Sequence, residues 1–126
     1  ISALLNNDLK RAGIRDLRES ICYYMENNLD KILKNDTLKD WLENISLDKY
    51  NVIDVNRYIR EMRSNATWGG APEIAIVSKI FRVIIVVNYG GNDIAEFNNC
   101  DDRPFKKLYL QWTGGHYEPI RYENIY

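Results

Sequence analysis

Histidine is almost absent from this chain. His116 is the only one in 126 residues, so any chemistry that needs an imidazole rests on that single position. Cysteine is nearly as scarce: Cys22 and Cys100 lie far apart, with neither a CxxC spacing nor a histidine partner, which argues against a disulfide framework and against a zinc site. No metal and no other cofactor is therefore assigned, and a reducing compartment, the cytoplasm, is the simplest expectation. An excess of one charge is missing too. Lys+Arg number 17 against 18 Asp+Glu, a formal net charge of -1, so no strong basic field recommends nucleic acid or an anionic membrane as a partner. Long hydrophobic runs are also lacking: Val83 to Val87 falls far short of the roughly 20 residues of a membrane helix, and no signal-peptide pattern opens the chain. No internal repeat, low-complexity tract or linker divides the 126 residues, which are expected to form a single domain. The first residue is Ile1, not Met, and a start within a longer, N-terminally truncated domain is expected.

What is present is ordinary for a globular domain. The chain is 45% hydrophobic and 28% charged, and long enough to bury a core without disulfides or metal. Ile1, Leu4 and Leu5 read as the tail of an apolar helix ending near Asn6-Asn7, with Gly13 as a break before the next. From Ile14 to about Asn28, the residues Ile14, Leu17, Ile21, Tyr24, Met25 and Asn28 recur at helical spacing and predict one buried stripe. Asp36 and Thr37 cap a helix carrying Leu38, Trp41, Leu42 and Ile45. Another is predicted from Val52 to Met62, with Val52, Val55, Tyr58, Ile59 and Met62 on one side.

After Gly69-Gly70, which allow a tight backbone, Pro72 and Glu73 suit the first turn of a helix reaching about Ile80. The period then switches. "FRVIIVVN" is β-branched and apolar and reads as a central strand buried on both faces. "NYGGND" reads as a turn, and "IAEF", "KKLYLQW" and "HYEPI" as short strands. The expected class is α+β, a helical first half followed by a small central β-sheet from the C-terminal third.

A base working near neutral pH is most readily a histidine. If "HYEPI" is extended, His116 and Glu118 point to the same face, and the carboxylate can accept from the imidazole Nδ1–H, fix its tautomer and stabilise the imidazolium. Tyr117 then points the other way and anchors the strand in the core. Taken bare, a lone histidine beside a glutamate on an edge strand is more often an ordinary surface or half-buried residue.

Several segments in order bear on that choice: Leu17-Arg18 in "LRESICYYMENN", Tyr58 to Met62, Trp68-Gly69-Gly70 with Glu73, the apolar strand after Phe81, and His116-Tyr117. In order and spacing they resemble the blocks of the ovarian tumour (OTU) family of cysteine proteases, from about Ile1 to Ile120. The resemblance implies a papain-related cysteine protease fold and hydrolysis of the isopeptide bond joining ubiquitin, or a ubiquitin-like protein, to a lysine. It makes His116 the base and Glu118, where the family usually carries Asp or Asn, its orienting residue. It places Trp68, Gly69, Gly70 and Gly115 along the channel for the extended Gly-Gly tail of ubiquitin. On the residues alone, Trp68 is also consistent with a core tryptophan below the sheet, and the glycines with a helix-entry turn.

The family's nucleophile lies in an Asp-x-Asn-Cys-x-Phe segment immediately before a helix that begins much like "ISALL". By that resemblance the cysteine, and the backbone donors of its oxyanion hole, precede Ile1, and residues 1–126 by themselves are expected to be inactive. Cys22 sits mid-helix beside the buried stripe and reads as a packing residue. Cys100 is flanked by Asp101 and Asp102, whose charges would raise a thiol's pKa.

Three readings follow: an OTU-type deubiquitinase, a non-catalytic module that keeps a ubiquitin-facing surface, and an α+β interaction domain with an accidental likeness. The first implies a monomer whose partner is ubiquitin or polyubiquitin. The abundance of Asn, Ile and Lys is a composition seen in some viruses and intracellular bacteria, and it hints at action in a host cytoplasm.

Overall fold

The computed structural model describes residues 7–33, 35–64, 70–100, 103–114 and 117–124. It falls into two compact units, Arg15–Glu73 and Ile74–Tyr126 with Ile1–Ile14.

The first unit is helical. Helix α1, Asn7–Asn27, runs without a break through Gly13, contrary to the expected punctuation. A glycine inside a helix costs only about 1 kcal/mol against alanine, which burial elsewhere along a long helix outweighs. The predicted stripe is in place, with Leu17, Ile21 and Met25 buried and Cys22 beside them. The helix ends where asparagine amides bond the last-turn carbonyls, Asn27 Nδ2 to Tyr23 O at 2.8 Å and Asn28 Nδ2 to Tyr24 O at 3.0 Å. A pair of two-residue strands follows, β1 (Ile32–Leu33) and β2 (Asp36–Thr37), antiparallel and too short to leave a periodic signal.

Helix α2, Leu38–Tyr50, starts at the predicted cap: Thr37 Oγ1 accepts from Asp40 N at 3.1 Å. It ends at Asn51, whose left-handed conformation (φ 61°) lets its N–H return to Leu47 O at 2.8 Å. That stop moves the next helix. Helix α3 is Val55–Arg63, capped by Asp54 Oδ1 accepting from Arg57 N at 3.0 Å, so Val52 lies before it and is exposed, against expectation. Tyr58, Ile59 and Met62 form its buried face as predicted.

The second unit carries α4, Ala71–Phe81, past its first turn, and a sheet of order β4-β3-β5-β6. Strand β3 is Val83–Gly90, β4 Asp93–Phe97, β5 Lys106–Trp112 and β6 Tyr117–Asn124. β3 pairs antiparallel with β4 and parallel with β5, and β5 pairs antiparallel with β6. β3 is central, but it alternates: Val83, Ile85 and Val87 are buried while Ile84 and Val86 are only half-buried, so one face is fully enclosed and not both. The β3–β4 turn needs its glycines, because Gly90 (φ 118°) and Gly91 (φ 55°) both have positive φ. β6 runs to Asn124, beyond Ile120, where the expected "HYEPI" strand ends. Between Leu110↔Pro119 and Tyr109↔Arg121 it carries one extra residue, Ile120. Pro119 and a bulge are both features that suit an edge strand.

Candidate active site

The segments that carry the family likeness in the first unit are bonded to one another. Arg18, of the Leu-Arg block, donates from Nη1 to Met62 O at 2.8 Å, so the first block holds the last turn of the Tyr-x-x-x-Met block. Tyr58, at the other end of that block, donates its O–H to Glu73 Oε2 at 2.8 Å. Glu73 Oε1 in turn accepts from Gly70 N at 2.5 Å. Tyr58 and Glu73 thus form a chain of contacts that leads to the backbone of Gly70, while Arg18 holds the far end of the same helix.

Glu73 is 4% exposed and Tyr58 5%. Burial pushes the Glu73 carboxyl above its ordinary range, against the hydrogen bonds from Gly70 and Tyr58, which favour the charged form. Burial, and then the facing Glu73 charge, also raises the Tyr58 hydroxyl, so it stays a donor. The sequence reading had Glu73 only as a helix-entry and motif residue. Its neighbour in space, Tyr58, is 15 positions away.

Of the predicted substrate-facing residues, Gly70 is described, and Trp68, Gly69 and Gly115 lie outside the described residues, as does the predicted base His116. Gly70 does not have a left-handed φ, and a Cβ placed there would meet, among the described residues, nothing nearer than Glu73 Oε1 at 3.7 Å. A helix-entry turn of this shape does not itself demand glycine.

The second unit carries further residues of the family pattern, at the end of the sheet beside the β5–β6 turn. Glu118 stands directly opposite Gln111 in the ladder and is exposed; Tyr117 stands opposite Trp112. The Gln111 amide is held in place, donating from Nε2 to Asn88 O at 3.0 Å and Trp112 O at 3.1 Å. Tyr117 is half-buried and meets other aromatic rings instead of a closed core: its centroid is 4.7 Å from that of Trp112 and 6.4 Å from that of Tyr89. Such tilted and edge-on pairs suit the ring quadrupoles and pin the start of β6. Gly114 (φ 97°) opens the turn in a conformation that favours glycine.

Neither cysteine looks like a nucleophile. Cys22 is fully buried, and burial pushes its thiol up to about 11. Cys100 is half-buried and its Sγ donates to Ser78 O at 3.5 Å. Among the described residues no cluster of His, Cys, Asp or Glu could hold a metal ion, and no helix is long and apolar enough to cross a membrane.

Comparison with known proteins places these features in a family. The model of the OTU-like cysteine proteases matches residues 1–117. In Saccharomyces cerevisiae, the Ubiquitin thioesterase OTU1 is 34% identical over 112 residues, covering 88% of this chain and 32% of that protein. The yeast OTU domain-containing protein 2 is 36% identical over 55 residues, 44% of this chain and 18% of that protein. The chain thus spans about a third or less of the length of these relatives. Among solved structures, an ovarian tumour (OTU) domain in complex with ubiquitin aligns with a TM-score of 0.63 at 24% identity, covering 89% of this chain and 60% of that one. The OTUD1 OTU domain aligns at 0.54 and 21% identity, covering 87% and 67%. At these identities the structural likeness speaks to the fold, an α+β OTU fold, while the match over residues 1–117 shows that the chain belongs to the OTU-like cysteine protease family.

Proposed function

We propose that this chain is the greater part of the catalytic domain of a deubiquitinase, an OTU-type cysteine protease hydrolysing isopeptide bonds to ubiquitin or a ubiquitin-like protein. The observation that carries the reading is the family match from residue 1 to 117, which takes in every motif block through His116-Tyr117. A yeast relative named as a ubiquitin thioesterase supports the substrate class.

In this mechanism His116 accepts the proton of a cysteine thiol, and the thiolate attacks the carbonyl carbon of the terminal glycine of ubiquitin. The imidazolium then protonates the departing lysine amine, leaving a thioester. Water, deprotonated by the same imidazole, attacks the thioester and returns the thiol. Glu118 orients the ring and stabilises its charged form. Trp68, Gly69, Gly70 and Gly115 border the tail channel, where the lack of side chains on both partners allows close approach. The thiol belongs to the family's Asp-x-Asn-Cys segment, expected ahead of Ile1, because neither Cys22 nor Cys100 has a suitable environment.

The test is to incubate the complete gene product with ubiquitin carrying a thiol-reactive C-terminal warhead and to follow intact mass. An adduct that maps to a cysteine upstream of Ile1 and is abolished by His116→Ala is the expected result. Binding without an adduct would instead mean a non-catalytic ubiquitin-binding module, and neither adduct nor binding would overturn the proposal.

A further inference from the structure

The carboxylate of Glu73 is the buried acidic group among the described residues that the mechanism above leaves without a task. It is not needed merely to start α4. Its bond to the Gly70 N–H is the N3-to-cap half of a capping box, which an exposed Glu or Gln supplies equally well, whereas a buried carboxylate must have its lost hydration replaced by specific partners. Here the partners are the Gly70 N–H at 2.5 Å on one oxygen and the Tyr58 O–H at 2.8 Å on the other. Tyr58 is itself fixed on the inner face of α3, beside Ile59 and Met62. The residue so held, Gly70, has no left-handed φ that calls for glycine, and among the described residues nothing lies nearer to a Cβ there than Glu73 Oε1 at 3.7 Å. A rigid, buried acceptor is thus used to fix a stretch of backbone that carries no side chain.

We infer that Glu73, locked by Tyr58, is a positioning residue for substrate: it holds the Gly70 backbone in the geometry that lets the extended, side-chain-free tail of ubiquitin lie against it. The inference rests on the deubiquitinase reading and adds to it a residue that acts through Gly70 and not on the reacting atoms. Loss of the carboxylate should therefore weaken binding of the tail more than it slows the chemical step.

The experiment uses the complete gene product and a fluorogenic ubiquitin C-terminal amide. Glu73→Ala is expected to raise KM about tenfold with kcat changed less than about threefold, the pattern of lost uniform binding. Glu73→Gln keeps an acceptor for the Gly70 N–H and a donor for the Tyr58 oxygen, so its KM should return to within about threefold of the parent. Tyr58→Phe should fall between them. Hydrogen exchange at the Gly70 amide reports the positioning directly: it should quicken at least about tenfold in Glu73→Ala and not in Glu73→Gln. If Glu73→Ala does not fold, Tyr58→Phe against Glu73→Gln carries the same contrast. An unchanged KM despite faster Gly70 exchange would overturn the inference, as would a fall in kcat alone or a failure of glutamine to rescue. A parent protein that neither cleaves nor binds ubiquitin would instead remove the reading underneath, whatever the exchange data show.

Discussion

The Arg15–Glu73 unit and the end of the β5–β6 hairpin both carry residues of the family pattern, yet they treat them in opposite ways. In the helical unit the pattern residues are buried or half-buried and bonded to each other, Arg18 to Met62 and Tyr58 to Glu73. At the hairpin, Glu118 is exposed on an edge strand, opposite a glutamine whose amide is committed to backbone carbonyls. A shared sequence pattern therefore mixes two kinds of residue. Some are tied into the scaffold, and others are left accessible, which the proposed function accounts for by giving them to the chemistry. Substitution should separate them, since the first kind loses stability and the second loses activity.

The baseline for that separation is the hydrophobic core of each unit. Leu42 on α2 and Leu110 on β5 are both fully buried. Leu42→Ala and Leu110→Ala should each cost about 2–5 kcal/mol in urea unfolding, the transfer loss plus the cavity left behind. A much smaller loss at only one of them would show that the two units do not set stability comparably.

Next in size is Arg18→Ala. It removes a charge-assisted hydrogen bond to Met62 O, together with the packing of the arginine stem, and should cost about 1.5–3 kcal/mol. A change within about 0.5 kcal/mol would mean that Arg18 behaves as a surface residue. The comparison would then lose its helical side.

These bonds mark what could not be read along the chain. Helices α2 and α4 and strands β4 and β5 stood where periodicity and caps put them, because their signals are local: Thr37 before Leu38, Pro72 in a first turn, and the switch to β-branched residues at Val83. Gly13 misled because a glycine's cost is small beside the burial of a long helix, and Val52 because Asn51 adopts a left-handed cap that no apolar spacing reveals. Strand β3 was read as doubly buried from its composition, whereas only one face proved fully enclosed. The Glu73 network was invisible for a different reason. Its members Tyr58 and Glu73 lie 15 positions apart, as the separately bonded Arg18 and Met62 lie 44 apart, and only the folded chain shows that these motif blocks are in contact.

A smaller effect distinguishes the buried carboxylate from the exposed ones through pH. The folded Glu73 holds its proton to higher pH than the unfolded chain does, whose carboxyl ionises near 4.5. Between those two values the native state binds more protons, so stability should fall as pH rises out of the ordinary carboxylate range toward neutrality. Glu73→Gln should flatten that slope. Glu26 and Glu61 have the opposite sign: hydrogen bonds from Arg63 and Tyr50 respectively hold them below the usual value, so their contribution is present at neutral pH and fades as acid protonates them. Glu26 is exposed and Glu61 half-buried, and salt should weaken this acid limb while leaving the slope of the buried Glu73 largely intact. Urea midpoints from pH 4 to 8, at low and high salt, check both. An unchanged slope in Glu73→Gln would mean that the buried carboxyl titrates as it does in the unfolded chain.

The smallest stability effect belongs to the hairpin and to Gly70, and here the comparison is most exposed to failure. Glu118→Ala removes an exposed side chain on an edge strand, and Gly70→Ala adds a methyl where the nearest described atom is 3.7 Å away. Each should leave unfolding free energy within about 0.5 kcal/mol of the parent, with alanine at position 70 gaining about a few tenths of a kcal/mol by restricting the unfolded chain. Activity should not be spared. On the proposed function, Glu118→Ala should lower kcat by about 10²-fold through loss of an oriented base, whereas Gly70→Ala should act through KM, because that reading has a substrate backbone approach at position 70. If either variant lost more than about 1 kcal/mol with activity intact, that position would belong with Arg18 among the scaffold residues. Stable variants that are both inactive, one through kcat and the other through KM, would show that glycine and carboxylate are kept at these positions for the substrate and not for the fold.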